Sequence, residues 1–381
     1  MIENIAFFCY IYNTRKRLDS CGGMYGLKKI IENTIVPMNF SVEEKTACYD
    51  KIIRCVKDIL PNKLYRFRTC SERSLSAFYN DELWFSNGST MNDDFDARLY
   101  YDRKRIEKWL KSFLSENGGL TVIEKLVTME EPPLKILNLV PNAKDVFENL
   151  KRMPKEQIVA SSNSLIQYLL SNLDVELKNT TEQVQQKTKF ACFTQKIYSD
   201  MMWGQYSSNA TGFALEYEFD GENIITYLVN NTQDRIWANL FPVIYDNKRL
   251  DTTEYAAYLF QIKILSAVVQ NVGFIYDPAW INAVVPCPDE FMATKLAIKK
   301  STDWKAEKEW RLFYTTSNMM LAREKFSYII QKPSGVYLGR KISKINQKII
   351  VDIAKEKGIP VYKMDFNENS RNYKLKKCRI I

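Results

Sequence analysis

The stretch Thr302-Asp303-Trp304-Lys305-Ala306-Glu307-Lys308-Glu309-Trp310-Arg311-Leu312-Phe313-Tyr314 constrains the fold more than any other. Its tail, Trp310-Arg311-Leu312-Phe313-Tyr314, is aromatic and apolar, which predicts a strand entering a core. In an extended chain, residues two apart share a side. A strand reaching back through the acids would hold Glu307 and Glu309 together over one cleft. Adjacent carboxylates repel, and such pairs usually serve a cation, a hydroxyl or a proton. The competing expectation is a solvated turn in which Lys305 and Lys308 neutralise the acids.

Histidine is absent from the 381 residues. That removes Ser-His-Asp and Cys-His catalysis and His-ligated zinc. Any general base must be Glu, Asp, Lys, Tyr or water. A hydrophobic share of 46% and a net charge of +9 describe a folded, moderately basic chain, whose balance favours an acidic partner such as nucleic acid. None of the eight cysteines forms a C-x-x-C pair, so neither a zinc ribbon nor a redox motif is suggested. No secretory signal is evident, and no apolar run reaches the length of a membrane span. A cytoplasmic protein with free thiols is expected.

The pattern along the chain is mixed. Ser41-Val42-Glu43-Glu44 has the form of a capping box opening a helix that runs towards Leu60. Leu64-Tyr65-Arg66-Phe67-Arg68 alternates as a strand, a short helix follows to Tyr79, and Glu82 to Ser86 reads as a second strand. A polar loop, Asn87 to Asp96, comes next. Residues 103–189 are mostly helical, with helices near 141–152, 155–173 and 180–189 after a first one ending at Gly118-Gly119. From Phe190 strands return, at 190–194, 211–219 and 239–245. Helices are expected at 252–271 and 288–300, the latter exposing Lys295, Lys299 and Lys300 on a wet face. Strands near 326–331, 336–339 and 360–364 bracket a last helix near 343–357. The expected class is α+β, with an N-terminal helical segment at 1–63, a catalytic domain at 64–381 and a helical insert at about 103–189.

Five pieces of the chain resemble, in order, a bacterial family known only as domain of unknown function 2971. They are Leu64 to Arg68; Trp84-Phe85-Ser86 with Met91-Asn92-Asp93-Asp94-Phe95-Asp96; Met201 to Tyr206 leading to Gly212-Phe213-Ala214-Leu215-Glu216-Tyr217; Trp304 with Glu307 to Leu312; and Val336 to Gly339. The resemblance covers roughly residues 64–365. Asp94 stands where that family has proline, so the fixed dihedral of that loop is lost here.

A second resemblance is to ADP-ribosyltransferases, which keep an arginine on the first strand, a serine on the second and a Glu-x-Glu turn, in that order. The matching residues are Arg66 or Arg68, then Ser86 (or Ser89-Thr90), then Glu307-Lys308-Glu309. This resemblance implies a mixed sheet of the transferase kind and NAD as substrate. An arginine would grip the pyrophosphate, and Tyr65, Phe85, Trp84 and Tyr206 would wall the nicotinamide slot, with Asn92 nearby. Glu309 would stabilise the oxocarbenium ion, and Glu307 would orient or deprotonate the acceptor. The family's company implies a toxin, toxin–antitoxin or anti-phage effector. Its acceptor would be RNA, DNA or protein, and an antitoxin or regulatory partner would restrain it.

Other readings stay open. Glu309 can be the structural partner of Arg311. Asp93, Asp96, Glu307 and Glu309 could instead hold magnesium in a nuclease. The helical block could serve a non-catalytic, phage-sensing or partner-binding module. Trp203 and Tyr206 are expected to be packing residues beside the site.

Overall fold

The computed structural model describes residues 22–113, 145, 148, 151–152, 154–219, 224–228, 235–271, 287–316 and 328–381. Two helices lead, α1 (Gly23–Asn33) and α2 (Val42–Ile59). Then come β1 (Lys63–Arg68), α3 (Glu72–Tyr79), β2 (Glu82–Trp84) and β3 (Ser86–Asn87). The helical block is α4 (Arg103–Phe113), α5 (Lys155–Ser171) and α6 (Leu173–Lys187). After β4 (Lys189–Thr194) follow α7 (Asp200–Tyr206), β5 (Phe213–Glu218), β6 (Ile224–Leu228), β7 (Arg235–Pro242), β8 (Ile244–Tyr245) and α8 (Thr253–Asn271). The remainder is α9 (Met292–Ala297), β9 (Lys299–Lys300), β10 (Glu309–Thr316), β11 (Tyr328–Ile330), β12 (Gly335–Leu338), α10 (Lys344–Lys357), β13 (Val361–Phe366) and β14 (Leu375–Arg379).

The class is α+β, built on one mixed sheet in the order β14-β13-β12-β5-β1-β4-β10-β7-β6, with β3 joined to β4 off that path. Among the described residues, only β12 and β13 run parallel within it, because α10 carries the chain back between them. Apolar strand residues such as Leu64, Phe193, Leu215, Leu312 and Val336 share one core with Leu27, Ile31, Ile52 and Val56 of the leading helices. The capping box forms as its residues demand: Ser41 accepts from the Glu44 amide, and Glu44 accepts from the Ser41 amide at 2.8 Å. The helical block has its own core of Ile106, Leu110, Leu169 and Leu177, completed by Phe260 and Ile264 of α8. A third cluster, with Phe67, Trp203, Tyr337 and Met364, lies on the other face of the sheet.

Several expectations are corrected. The helix foreseen at 288–300 stops at Ala297, because Lys299 and Lys300 pair in parallel with Ile244 and Tyr245, and strand pairing overrides helical pattern. Glu82 to Ser86 is two strands, not one. β2 pairs with β11 and β3 with β4, so the chain changes partner at Phe85. Cys48, Cys70, Cys192, Cys287 and Cys378 are free thiols, but Cys55 is disulfide-bonded. The expected helix near 141–152 and the helix end at Gly118-Gly119 lie largely or wholly outside the described residues. Among the described residues no helix is long and apolar enough to cross a membrane.

Candidate active site

β4 has β10 along one edge, from Glu309 opposite Thr194 to Phe313 opposite Phe190. Its other edge is shared. β1 holds one end, with Tyr65 opposite Thr194. β3 holds the other, with Ser86 opposite Phe190 and Asn87 opposite Lys189. Between these anchors β1 parts from β4 and stays with β5 through Arg68. The gap in the sheet is a cavity of about 350 Å³. Because the strands part there, side chains from both faces reach it. Tyr65, Arg66, Arg68, Ser86, Asn92, Cys192, Phe193, Tyr206, Lys300, Glu307 and Glu309 are among its walls. Tyr65, Thr194 and Glu309 form one row, so the first strand and the acidic turn are two strand spacings apart, about 10 Å.

The acidic end is a network of buried charges. Glu307 ends a 3-10 turn, Thr302–Glu307, and Lys308 takes the left-handed conformation at φ 47° before β10 begins. An extended strand through both acids is therefore not what joins them. The turn does, at the cost of a conformation that non-glycine residues seldom adopt. The Lys300 ammonium donates to Glu307 Oε2 at 2.8 Å and to Glu309 Oε2 at 3.2 Å, and lies 4.0 Å from Asp96 Oδ2. The Arg311 guanidinium forks onto Glu309, Nε to Oε1 at 2.8 Å and Nη2 to Oε2 at 3.0 Å, and is 2.7 Å from Asp96 Oδ1. Burial would raise the Glu309 carboxyl, but Arg311 and Lys300 overcome it and hold it at about 2. For Asp96 the balance goes the other way: burial outweighs Arg311 and Lys300 and raises it. Three carboxyl groups face two cations here, and Asp96, raised by burial, is the one of the three most readily protonated.

Glu307 also accepts from the Tyr206 hydroxyl, which itself accepts from the Asn92 amide at 2.7 Å. Burial, then Glu307, push the Tyr206 phenol well above its ordinary value. The hydroxyl stays protonated and is fixed as a donor. Thr194 and Tyr245 hold the turn itself, donating to the Glu307 carbonyl and accepting from the Glu309 amide.

The other end is cationic. Arg66 is 6% exposed, donates one Nη2 bond to the Trp84 carbonyl and lies 5.8 Å from the Phe193 ring centre. Its Nε and Nη1 are buried with no hydrogen-bond partner. Burial pulls the Arg68 guanidinium down to about 9, and Arg66 beside it acts the same way. Neither arginine has an ion pair among the described residues. Buried charge without a partner is costly, so an uncompensated pair of guanidiniums marks a place for an anion. Gly212 locks this strand end: a Cβ there would come within 2.1 Å of the Arg68 carbonyl.

The structure thus brings together Tyr65, Arg66, Arg68, Ser86, Asn92, Tyr206, Glu307 and Glu309 around one cavity. Phe85 and Trp84 are not among its walls. Phe85 is in the main core, and the Trp84 ring packs on Tyr328 at 4.9 Å and under Arg73. Phe67, Phe190 and Phe193 supply the apolar wall instead. Trp203 packs edge-on against Phe67 at 4.8 Å, as expected of a core residue, while Tyr206 reaches the acid network. Asp93 bonds the Phe95 amide and stays outside the network. Arg311 is the partner of Glu309, the alternative its place two residues on offers, while Lys300, expected on a solvated helix face, belongs to the site. Lys300 is buried between the acids and packs on the Trp304 ring at 4.4 Å, and Lys295 is buried against Asp289 at 2.6 Å, so neither is on a wet face. The available signal was Lys300 seven residues before Glu307, but only its pairing with β8 turns it inward.

Residues 202–312 match the family described as Protein of unknown function (DUF2971). The match spans Tyr206, Lys300, Glu307, Glu309 and Arg311, the acidic end of the cavity, while Arg66, Arg68 and Asp96 lie outside it. No curated protein and no solved structure matches the chain.

Proposed function

We propose that this chain, a member of that family of unknown function, binds NAD in the parted sheet and transfers ADP-ribose from it to an acceptor. One observation carries the proposal: two arginines without acid partners among the described residues and a network of carboxylates, Glu307 among them, face the same cavity. NAD has the matching polarity, an anionic pyrophosphate and a nicotinamide ribose that becomes positive as its glycosidic bond breaks. The volume is at the low end for ligand pockets, about 300–1,000 Å³, so it would hold part of the dinucleotide and leave the rest at the mouth.

In this reading Arg66 and Arg68 grip phosphate oxygens, and Tyr65 and the phenylalanines flank the nicotinamide. The C1′–N bond breaks and its electron pair leaves with neutral nicotinamide. The acceptor's nucleophile attacks C1′, and its proton passes to the Glu307 carboxylate, directly or through water. Glu309 is saturated by Arg311 and Lys300, which suits it to hold the network's charge and not to move a proton. Glu307, bonded by Tyr206 on one oxygen and Lys300 on the other but free of the guanidinium fork, is the carboxylate placed to meet the ribose hydroxyl or the acceptor. We assign it the role nearest the chemistry. Such a transfer to RNA, DNA or protein would suit a toxic effector of anti-phage defence.

A magnesium nuclease has less support. Lys300 and Arg311 sit between its acids, and among the described residues no group of three acidic or thiol side chains is arranged to hold a metal. The test is purified protein with labelled NAD and total RNA, DNA or protein. Nicotinamide should be released and label transferred, and Glu307→Gln should abolish both with folding intact. Absence of release and of label on every acceptor would end the proposal.

A further inference from the structure

We infer that the outer edge of the sheet, at β14, is a binding surface for single-stranded nucleic acid. Arg371, Lys374, Lys376, Lys377 and Arg379 crowd one short stretch that ends the strand order. The register sets Lys377 opposite Met364 and Arg379 opposite Tyr362. These two cations therefore share the face on which Tyr362 and Phe366 stand. Each lies against rings or backbone and not against an acid. Lys377 is 4.3 Å over the Tyr362 ring, Arg379 donates to the Ile381 carbonyl, and Arg340 is 4.4 Å over the half-exposed Phe366 ring. Arg340 and Lys377 make no ion pair among the described residues, and the buried Arg340 Nε has no hydrogen-bond partner.

Edge lysines also discourage unwanted strand pairing. A charge guard alone needs no aromatic ring under the cation and no orphaned guanidinium. Cations that track a phosphate backbone, interleaved with rings that accept bases, are what single strands require.

The same face leads to the cavity. Tyr362 stacks on Tyr337 at 4.9 Å, and Tyr337 meets Tyr65 edge-on at 5.5 Å, with Tyr65 in the cavity wall. Four strand spacings, about 19 Å, separate β14 from β1. A short bound strand would reach the cavity mouth. That this strand is the acceptor rests on the transferase reading; the surface itself does not.

The experiment is fluorescence anisotropy of the full chain with labelled oligo(U) and oligo(dT) of about 12 nucleotides at several salt concentrations. Arg340→Ala/Lys377→Ala/Arg379→Ala is compared with Lys344→Ala/Lys348→Ala/Lys355→Ala, which removes equal charge from exposed positions of α10. The first variant should bind at least tenfold more weakly, with a salt slope smaller by about 2, and the second should bind as wild type. Both should keep the wild-type melting temperature and release nicotinamide from NAD alone at the wild-type rate. No binding by wild type, equal loss in both variants, or capture by anionic vesicles in place of oligonucleotide would overturn the surface. Oligonucleotide binding as described with no use of NAD would keep the surface and remove the transferase.

Discussion

Arg311 and Asp96 meet at 2.7 Å with neither side chain more than 1% exposed. One belongs to the strand after the acidic turn, the other to the end of the polar loop. Their contact ties that loop to β10 beneath the cavity floor, and Gln185 reinforces it by donating to the Asp96 carbonyl at 2.8 Å.

Removing the guanidinium should therefore be severe. Arg311→Ala leaves Glu309 and Asp96 buried with Lys300 as their remaining cation, shared with Glu307, and about 3–5 kcal/mol of stability should be lost. Urea unfolding checks this. A loss under about 1 kcal/mol would mean the network is wetter than its burial indicates.

Arg66 should behave in the opposite way. Its charge is buried and largely unpartnered, so Arg66→Met should be neutral or stabilising by about 1 kcal/mol while abolishing anion binding. Melting temperature and NAD titration, measured on the same sample, separate the two effects. Joint loss of stability and binding would make Arg66 a structural residue.

Glu309 gives a pH signature. Its folded carboxyl is held at about 2 against an ordinary 4.5, so its stabilising contribution is full above pH 4.5 and is lost as the pH falls towards 2. The contribution is on the order of 3 kcal/mol. Unfolding free energy measured at pH 6 and pH 3 should fall more steeply in wild type than in Glu309→Gln. Parallel slopes would refute the assignment.

Tyr206→Phe deletes the hydroxyl that joins Asn92 to Glu307. Stability should change by only about 1 kcal/mol. Nicotinamide release should fall about 10- to 100-fold as Glu307 loses its orienting donor. Unchanged release with unchanged stability would take Tyr206 out of the site.

Much of the site was legible as residue types in order. Arg66, Arg68, Ser86, Asn92, Glu307 and Glu309 stand out because arginine, serine and paired acids are chemically conspicuous on strands and turns. What could not be read was which charges meet. Lys300 looked like part of a solvated helix, since the apolar pattern around it is helical and its neighbours are lysines. Phe85 and Trp84 looked like cavity walls, yet the change of strand partner at Phe85 turns them elsewhere.

The sequence by itself determined the elements: alternation and aromatic runs made the strands, Ser41 and Glu44 the helix start, and the lack of histidine the kinds of base available. Those depend on local geometry and side-chain chemistry, which neighbouring residues settle. Only the tertiary structure decided that β4 would share one edge between β1 and β3, opening the sheet where Arg66 and Arg68 stand. It also decided that Lys300 and Arg311 would be shut in among the acids. Both outcomes are pairings between distant segments, whose free energy comes from burial that no single stretch of chain can report.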